Sequence, residues 1–411
     1  MSADPALVPE PIRPLAVTRL SLTDFRCYRR LRLELGADPV VLTGPNGAGK
    51  TNLLEALSFL VPGRGLRRAK LAEIDWRQAN SDDDARWAVA ATVLTSTGAF
   101  EIGTAHEPPT PRAADASAVD DGGNETGDGR RVVRIDGRPS RGQAGLAQLV
   151  SMVWLTPDMD RLFLEGGSAR RRFLDRLVYG FEPDHAGRVA AYEHALRERM
   201  RLLRADSAPV DPSWLAALED RMAREGVAIA VARRNFADRL SRAAELAEGP
   251  FPRPILRVEG VLEDWLSGGP ALLAEDRLRE ALSSSRAQDA ETGRVSVGPH
   301  RSDLVAIHAA KAQAAALCST GEQKALLLSI ILAYARLKIL DSGVPPILLL
   351  DEVIAHLDAV RRAALFESLL ALGAQAWLTG TDEALFEPLG GAAQFFRVSN
   401  ATIEPVRERI V

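Results

Sequence analysis

The octapeptide G-P-N-G-A-G-K-T spans residues 44–51 and directly follows the apolar run at 40–42. After it, leucines recur at the spacing of an amphipathic helix, at positions 53, 54, 57 and 60. A buried strand, a glycine-rich loop and a helix, in this order, are the setting in which a loop wraps around phosphate oxygens. An ordinary glycine-rich turn is the alternative, and the flanking strand and helix disfavour it. The stretch therefore predicts a phosphate-binding P-loop within an α/β fold.

The loop also predicts how a nucleotide is held. Its amides and the N-terminus of the next helix offer N–H donors and partial positive charge to an anion. Lys50 is predicted to reach the β- and γ-phosphates, and the Thr51 hydroxyl to ligate Mg²⁺. The predicted nucleotide-binding residues of this region are Gly44, Pro45, Asn46, Gly47, Ala48, Gly49, Lys50, Thr51 and Asn52.

An acidic residue is expected to complete the metal site beside Thr51. The run P-P-I-L-L-L-D-E, at residues 345–352, is typical of a fully buried strand that ends in two acids. Asp351 is predicted to hold Mg²⁺ beside Thr51, and Glu352 to orient and polarise the attacking water. Lys50 and Glu352 are thus the predicted catalytic residues. The alternative is a strand that simply ends in exposed acids.

A further anion-binding position is suggested by C-S-T-G-E-Q-K, residues 318–324, which precedes a long apolar stretch. Ser319 and Gly321 stand where a helix would begin, and a helix N-terminus attracts anions. Taken alone, however, this pattern indicates only a helix cap.

Composition limits the classes of function. The 411 residues carry 51 basic and 55 acidic side chains, a net charge of −4. Any contact with DNA must therefore come from local basic patches. Two stretches are candidates, residues 63–70 and the three arginines at 170–172; each could instead be a solvated or ion-paired surface.

The same composition favours a soluble cytoplasmic protein. The two cysteines lie far apart in sequence, which indicates neither a disulfide framework nor a metal site. The first residues lack the pattern of a signal peptide. The longest apolar run, at 325–335, is too short to span a bilayer, and no membrane association is expected.

The pattern of elements predicts three segments. Residues 1–156 and 293–411 are the predicted N- and C-terminal parts of an ATPase head, with mixed strands and helices. Residues 157–292 are mostly helical and are predicted to form an inserted lobe. Residues 106–129 contain almost nothing to bury and are predicted to be a disordered loop within a hairpin. Strands are also expected at 255–261 and 294–297.

Together these motifs resemble a known family. The P-loop, S-T-G-E-Q-K and L-L-L-D-E followed by V-I-A-H-L-D resemble an ABC-type ATPase head of the class that contains the SMC proteins. The similarity to the RecF family of that class covers almost the whole chain, including L-T-D-F-R-C-Y and G-P-H-R-S-D. The stretch P-D-M-D-R-L-F-L-E-G-G-S-A-R-R-R-F-L-D, residues 157–175, discriminates most, because a generic ABC head lacks it.

The resemblance implies further roles. In that class the Ser and Gly of the signature contact the γ-phosphate of a nucleotide held by the other subunit, which implies an ATP-sandwich homodimer with ATP and Mg²⁺ as cofactors. Ser319, Gly321 and Glu322 match the signature, and Asp358 matches a position at the dimer interface beside both nucleotides.

The implied function is an ATP-switched DNA clamp in recombinational repair and replication-fork maintenance. ATP would close two heads on duplex DNA near a single-stranded gap or junction. Slow, DNA-stimulated hydrolysis would reopen them. The family further implies cooperation with RecO and RecR in loading a recombinase.

Three alternatives remain from the sequence. The first is the ATPase subunit of a membrane transporter. The ATPase heads of transporters carry a Gln loop and a switch His. In this sequence, Pro157–Asp158 and Trp377–Asp382 occupy the corresponding positions. The second is another SMC-like chromosome-associated ATPase. The third is a nuclease, which would need a further cluster of closely spaced acids that the sequence lacks.

Overall fold

The computed structural model describes residues 15–76, 86–108, 129–140, 142–204, 211–247 and 249–406. Within these ranges the chain forms fifteen strands and ten α-helices. The strands are β1 (Ala16–Phe25), β2 (Tyr28–Glu34), β3 (Val40–Thr43), β4 (Ala88–Thr95), β5 (Gly98–Glu107), β6 (Arg130–Ile135), β7 (Arg138–Pro139), β8 (Met152–Leu155), β9 (Pro254–Glu259), β10 (Asp303–His308), β11 (Gln313–Ala314), β12 (Ile347–Leu350), β13 (Ala376–Gly380), β14 (Gln394–Ser399) and β15 (Thr402–Pro405). The helices are α1 (Lys50–Ser58), α2 (Ala144–Leu149), α3 (Gly167–Tyr179), α4 (Asp184–Leu203), α5 (Pro212–Glu245), α6 (Val261–Ser267), α7 (Ala271–Ser284), α8 (Arg286–Thr292), α9 (Thr320–Ser342) and α10 (Ala359–Leu372).

A largely parallel sheet positions the predicted site. In the described chain its strand order is β15-β14-β3-β13-β12-β8, with β14 to β8 parallel and β15 an antiparallel edge. Parallel strands covered on both faces need continuous apolar sequence, which β3, β12 and β8 supply. The P-loop follows β3 and the two acids follow β12, so both groups lie at the carboxyl edge of one sheet. The predicted α/β fold is confirmed.

A second, antiparallel sheet packs against α1. Its order in the described residues is β2-β1-β4-β5-β6-β7. The rings of Phe25, Phe59 and Trp87 meet edge-on or tilted, with centroids 4.9 to 6.0 Å apart. Aromatic pairs in such geometries add to the stabilisation from burial alone. This cluster fixes the C-terminal end of α1, the helix that follows the P-loop, against the sheet.

The hairpin around residues 106–129 begins later than predicted. β5 continues to Glu107 and pairs with Arg130 of β6, so the hairpin itself is confirmed. His106 is buried in the strand, and its Nδ1 lies 3.0 Å from the Asp75 carboxylate. This hydrogen bond satisfies the ring nitrogen, which allows the side chain to be buried. The prediction of disorder is therefore wrong for the first residues, and residues 109–128 lie outside the described ranges.

The long helices α4 and α5 pack antiparallel, since Arg199 bonds Glu219 while Tyr192 lies against Gly226. Asp211 caps α5 by accepting a hydrogen bond from the Ser213 amide at 2.8 Å, as its sequence predicts. Their inner faces share a core with α6 and α7. The second half of α5 and α3 instead join the core around α9 and the parallel sheet. The boundaries drawn at 157 and 292 stay a prediction.

Residues 294–297 form no strand, contrary to the prediction. Val295 and Val297 are buried in the helical core, and their alternation comes from that burial. The Val295 carbonyl accepts hydrogen bonds from His300 and Arg301, so this carbonyl belongs to a turn and not to a β-sheet.

The strand predicted at 255–261 is shorter than expected, because Val261 begins α6 instead of ending β9. β9 pairs with β10 and β10 with β11 in a small third sheet.

Within the described ranges, none of the helices is both long enough and apolar enough to cross a bilayer.

Candidate nucleotide-binding site

The loop between β3 and α1 has a backbone that only glycine accommodates at two points. Gly44 and Gly49 have φ values of 148° and 117°. A Cβ atom at Gly44 would lie 2.0 Å from the Val398 carbonyl oxygen, and one at Gly49 would lie 2.6 Å from the Tyr28 hydroxyl. These contacts bring the loop close to β14 and β2. The glycine pattern of the octapeptide therefore has a steric cause in this fold.

The first turn of α1 faces the end of this loop. The Leu53 amide donates to the Gly49 carbonyl at 3.1 Å, so the amides before it have no partner within the helix. Lys50 is buried, and its Nζ donates to the carbonyls of Gly44 and Pro45 at 2.7 and 3.0 Å. Free amides, the helix dipole and a buried ammonium converge here, which makes the loop an anion site.

The ammonium of Lys50 lies in the field of the two acids after β12. Burial lowers the pKa of Lys50, while the charges of Glu352 and Asp351 oppose that shift. A bound polyphosphate would act in the same direction as these acids and favour the charged ammonium.

Thr51 and Asp351 meet across the edge of the sheet. The Thr51 hydroxyl donates to the two Asp351 carboxylate oxygens at 2.9 and 3.1 Å. Asp351 is 3% exposed, and burial raises its pKa. A divalent cation beside the carboxylate would favour its ionised form.

This donor set fits Mg²⁺ rather than a self-contained metal cage. Among the described residues, no group of three or more His, Cys, Asp or Glu side chains could hold a metal ion. Thr51 and Asp351 offer one hydroxyl and one carboxylate, both hard oxygen donors. Mg²⁺ in phosphate-binding sites takes few protein ligands and completes its octahedron with phosphate oxygens and water.

Glu352 occupies an unusual backbone conformation. Its φ is 53°, in the left-handed region, and the residue is not glycine. Such a conformation costs on the order of 1 kcal/mol and persists where the surroundings impose it. Here the Glu352 amide donates to the Thr379 hydroxyl at 2.8 Å. The charge of the Glu352 carboxylate opposes the lowering of the Lys50 pKa by burial, so this acid acts on the P-loop lysine.

Thr379 is a site residue that the sequence analysis missed. Its hydroxyl donates to Asp351 at 2.7 Å and accepts from the Glu352 amide, so one side chain positions both acids. Thr379 lies near the end of β13, the strand between β3 and β12. The sequence signal was the T-G-T-D at 379–382 after an apolar run, but its meaning depends on the strand order.

We expect Thr379→Val to raise the Mg²⁺ concentration needed for ATP hydrolysis by about 10- to 100-fold, the usual effect of removing a group that orients a metal ligand. Valine keeps the volume but loses both hydrogen bonds. Thr379→Ser keeps the hydroxyl and is the matched control. Hydrolysis measured against Mg²⁺ concentration tests this, with thermal unfolding as a check on folding. An unchanged Mg²⁺ dependence in the valine variant would show that Thr379 does not orient Asp351.

The predicted signature lies at the N-terminus of α9. Ser319 caps the helix in a capping box with Glu322, and both Ser319 and Gly321 are exposed. The Ser319 hydroxyl donates to the Glu322 carboxylate at 2.9 Å. Hydrogen bonds from Lys311 and Ser319 lower the pKa of Glu322 to about 2, so it is ionised at neutral pH. Around Gly321 the space that a Cβ would fill is open, so a ligand can approach its backbone.

The structure does not bring this signature to the P-loop of the same chain. Lys324, in the first turns of α9, pairs with Asp160 at 2.8 Å, just after β8. β8 and β3 are separated by β12 and β13, which is three strand spacings or about 14 Å. Asp358 is exposed and caps α10 by accepting from the Arg361 amide at 2.8 Å. Lys50, Thr51, Asp351 and Glu352 thus form one group, and Ser319 and Gly321 another.

Comparison with known proteins supports the resemblance seen in the motifs. The family model described as RecF/RecN/SMC N terminal domain matches residues 16–403. The DNA replication and repair protein RecF of Mesorhizobium japonicum is 45% identical over 394 residues, covering 95% of this chain and 98% of its own length. RecF of Caulobacter vibrioides is 46% identical over 406 residues, with 96% and 99% covered. RecF of Brucella suis is 47% identical over 388 residues, with 94% and 95% covered.

Solved structures share the fold. The recombination mediator protein RecF-ATPrS in the RecFOR pathway superposes with a TM-score of 0.78 at 20% identity, covering 96% of this chain and 99% of its own. The Smc head domain with an extended coiled coil from Pyrococcus furiosus gives 0.51 at 14% identity, covering 96% of each chain. These likenesses confirm the predicted ABC-type head. From this fold, the family match and the level of identity to its relatives, the chain belongs to the RecF family.

Proposed function

We propose that this protein is an ATP-dependent DNA-binding protein of recombinational DNA repair and replication-fork maintenance. Family membership supports the repair role, since the relatives are DNA replication and repair proteins. A RecF-ATP structure of similar fold supports ATP as the nucleotide. ATP binding closes two heads on duplex DNA next to a single-stranded gap, and hydrolysis reopens them.

One observation carries the dimer. The P-loop and the exposed Ser319–Gly321 turn both have the chemistry to bind phosphate, yet the P-loop follows β3, while Lys324, close to that turn, pairs with Asp160 after β8, three strand spacings or about 14 Å from β3. A triphosphate on the P-loop meets such a turn only if a second copy presents it. Two heads facing each other would place each turn on the partner's nucleotide. Asp358, exposed at the start of α10, would then lie at the interface.

The residues of the P-loop group act mainly through position and charge. Lys50 and the loop amides bind the β- and γ-phosphates. Thr51 and Asp351 would hold Mg²⁺, which would supply positive charge that neutralises negative charge developing on the phosphates. Glu352 accepts a hydrogen bond from the attacking water, which aligns and polarises it. Ser319 exchanges its bond to Glu322 for one to the partner's nucleotide.

Hydrolysis in this scheme is weak, is stimulated by DNA and serves as a conformational switch. RecO and RecR, the partners implied by the family, would use the open or closed head to load the recombinase. Such a role places the protein in the cytoplasm. With a net charge of −4, the DNA contact must come from a local basic surface of the closed dimer.

DNA binding with and without ATP tests the function. We expect binding to require ATP, to be tighter for gapped than for plain duplex, and to weaken with salt at a log–log slope of about −0.9 per contacted phosphate. Fluorescence anisotropy over a salt series measures this. The nucleotide-free protein is the control. Binding that is insensitive to salt, or equally strong without ATP, would contradict the clamp.

A further inference from the structure

A single carboxylate joins two groups at the start of α9. One oxygen of Glu322 accepts hydrogen bonds from the Ser319 hydroxyl at 2.9 Å and from the Ser319 amide at 3.0 Å. The other oxygen forms an ion pair with the Lys311 ammonium. Glu322 therefore lies between a lysine and the serine that the proposed function assigns to the partner's nucleotide.

The carboxylate of Glu322 occupies both hydrogen-bond donors of Ser319. A serine hydroxyl has one hydrogen to donate, and the backbone amide has one more. Both are directed at the same carboxylate oxygen, so neither is available to a phosphate in this conformation. A carboxylate in the first turn of a helix also interacts favourably with the helix dipole, as an arriving phosphate would. Glu322 thus satisfies the same groups that a γ-phosphate needs.

The lysine that holds the other oxygen is carried by a constrained turn. Lys311 lies at the tip of the hairpin formed by β10 and β11. The next residue, Ala312, has a left-handed φ of 47°, which costs a non-glycine residue on the order of 1 kcal/mol and persists where the surroundings impose it. The Gln313 side chain donates to the Leu317 carbonyl at 3.1 Å, two residues before Ser319. The backbone of Lys311 is thus held beside the signature by contacts that do not involve Glu322.

The charges around the signature turn are balanced. Hydrogen bonds from Lys311 and Ser319 lower the pKa of Glu322 to about 2, and Glu322 in turn raises the pKa of Lys311. Both groups are therefore charged at neutral pH, and their charges sum to zero. Lys324, on the same turn of α9, is paired with Asp160 and adds no net charge. Removing either Lys311 or Glu322 alone would leave a net charge beside an incoming phosphate.

We propose that Glu322 is a built-in occupant of the signature turn, and that Lys311 retains its carboxylate when the γ-phosphate of the partner's ATP takes its place on Ser319. This inference rests on the proposed function, because it concerns how the same turn admits the nucleotide. On closure, Ser319 donates its hydroxyl and amide hydrogens to phosphate oxygens. Glu322 keeps its bond to Lys311, whose charge offsets the repulsion between the carboxylate and the phosphate. Lys311 is thereby a positioning residue for closure of the dimer.

The exchange also accounts for a requirement for the γ-phosphate. Without a triphosphate, the bonds from Ser319 to Glu322 remain, and two heads that meet gain no contact at this turn. Breaking those bonds without a replacement would leave two donors unsatisfied at an interface, which costs free energy. The occupied turn therefore disfavours closure without ATP.

Two single variants and their combination test the exchange. Lys311→Met removes the ammonium, and Glu322→Gln removes the negative charge but keeps a capping-box side chain. With ATPγS, a slowly hydrolysed analogue, we expect Lys311→Met to raise the dimer dissociation constant about 10-fold and Glu322→Gln to lower it about 10-fold, because each dimer contains two such turns whose exposed charges interact weakly in water. The double variant restores the charge balance and should lie within about 3-fold of the wild type. Analytical ultracentrifugation measures the constants, with thermal unfolding as a check on folding.

The salt dependence distinguishes an effect of charge from a structural effect. Exposed charges are screened beyond about 10 Å at 0.1 M salt and beyond about 3 Å at 1 M. The two opposite shifts should therefore shrink between these salt concentrations, whereas a loss caused by misfolding would persist. The matched control combines Arg201→Gln with Glu198→Gln, an exposed pair joined at 2.7 Å on α4. It should leave dimerisation unchanged.

The outcomes separate this inference from the proposed function. If the wild-type protein forms no dimers with ATPγS, the proposed function fails. If it forms them and the two single variants do not shift the dissociation constant in opposite directions, or the control shifts it as much, the inference is wrong. Dimers of the Glu322→Gln variant that form equally well with ADP would also overturn it, since the exchange requires the γ-phosphate.

Discussion

The Glu352→Gln variant is expected to bind ATP normally and to hydrolyse it at least about 100-fold more slowly, the usual contribution of a positioned general base. Glutamine has the same size and tolerates the backbone of Glu352, but it cannot accept a proton from water. Because closure precedes hydrolysis in the proposed cycle, ATP-bound dimers of this variant should accumulate. The remaining contacts of the P-loop group, including the bond between Thr51 and Asp351, are untouched.

Single-turnover hydrolysis and light scattering with ATP measure these two effects. Glu383→Gln is a suitable control, since Glu383 follows β13 and its carboxylate is 3.4 Å from Arg397, outside the P-loop group. Normal turnover in the Glu352 variant would remove this residue from the catalytic role. Slow turnover without dimer accumulation would show that closure and hydrolysis are not linked as proposed.

Lys50→Met is expected to lose ATP-dependent dimerisation altogether. Methionine fills a similar volume, so the buried stem of Lys50 is replaced without a cavity. What is lost is the ammonium, and hydrogen bonds to charged groups contribute about 1.5–3 kcal/mol each. A closed dimer holds two nucleotides, so the loss counts twice. Monomer affinity for ATP should fall about 10- to 100-fold, and dimer formation by the square of that factor.

Titration with a fluorescent nucleotide measures the first effect, and light scattering with and without ATP measures the second. Lys338→Met is the control; its Nζ donates to the Gly180 carbonyl, and it lies on the second half of α9. ATP-dependent dimers that persist in the Lys50 variant would count against the proposed P-loop role. Equal losses in both lysine variants would indicate a general effect on folding.

Several features could be predicted because their physics is local. The glycines of the octapeptide, the apolar strand before Asp351 and the cap at Asp211 each depend on residues close in sequence. The structure places them as predicted. Family membership was also predicted from the motifs, with the stretch at 157–175 as the most discriminating, and the family match confirms it.

The errors occurred where local patterns are ambiguous. Alternation at 294–297 predicts a strand, but burial in a helical core produces the same alternation. At His106 a polar composition predicts a loop, whereas Asp75, 31 residues away, satisfies the ring and allows burial. In both cases the deciding partner is distant in the chain.

The sequence by itself determined the fold family and the chemistry available, because side-chain type and short-range spacing decide which groups can bind phosphate or metal. The tertiary structure alone decided which groups meet. Strand order brings Thr51 to Asp351 across 300 residues and Thr379 to both acids. It also pairs Lys324, near Ser319, with Asp160 after β8, three strands from the strand that precedes the P-loop. Such neighbours depend on how buried surfaces pack across the whole chain, which no window of sequence contains.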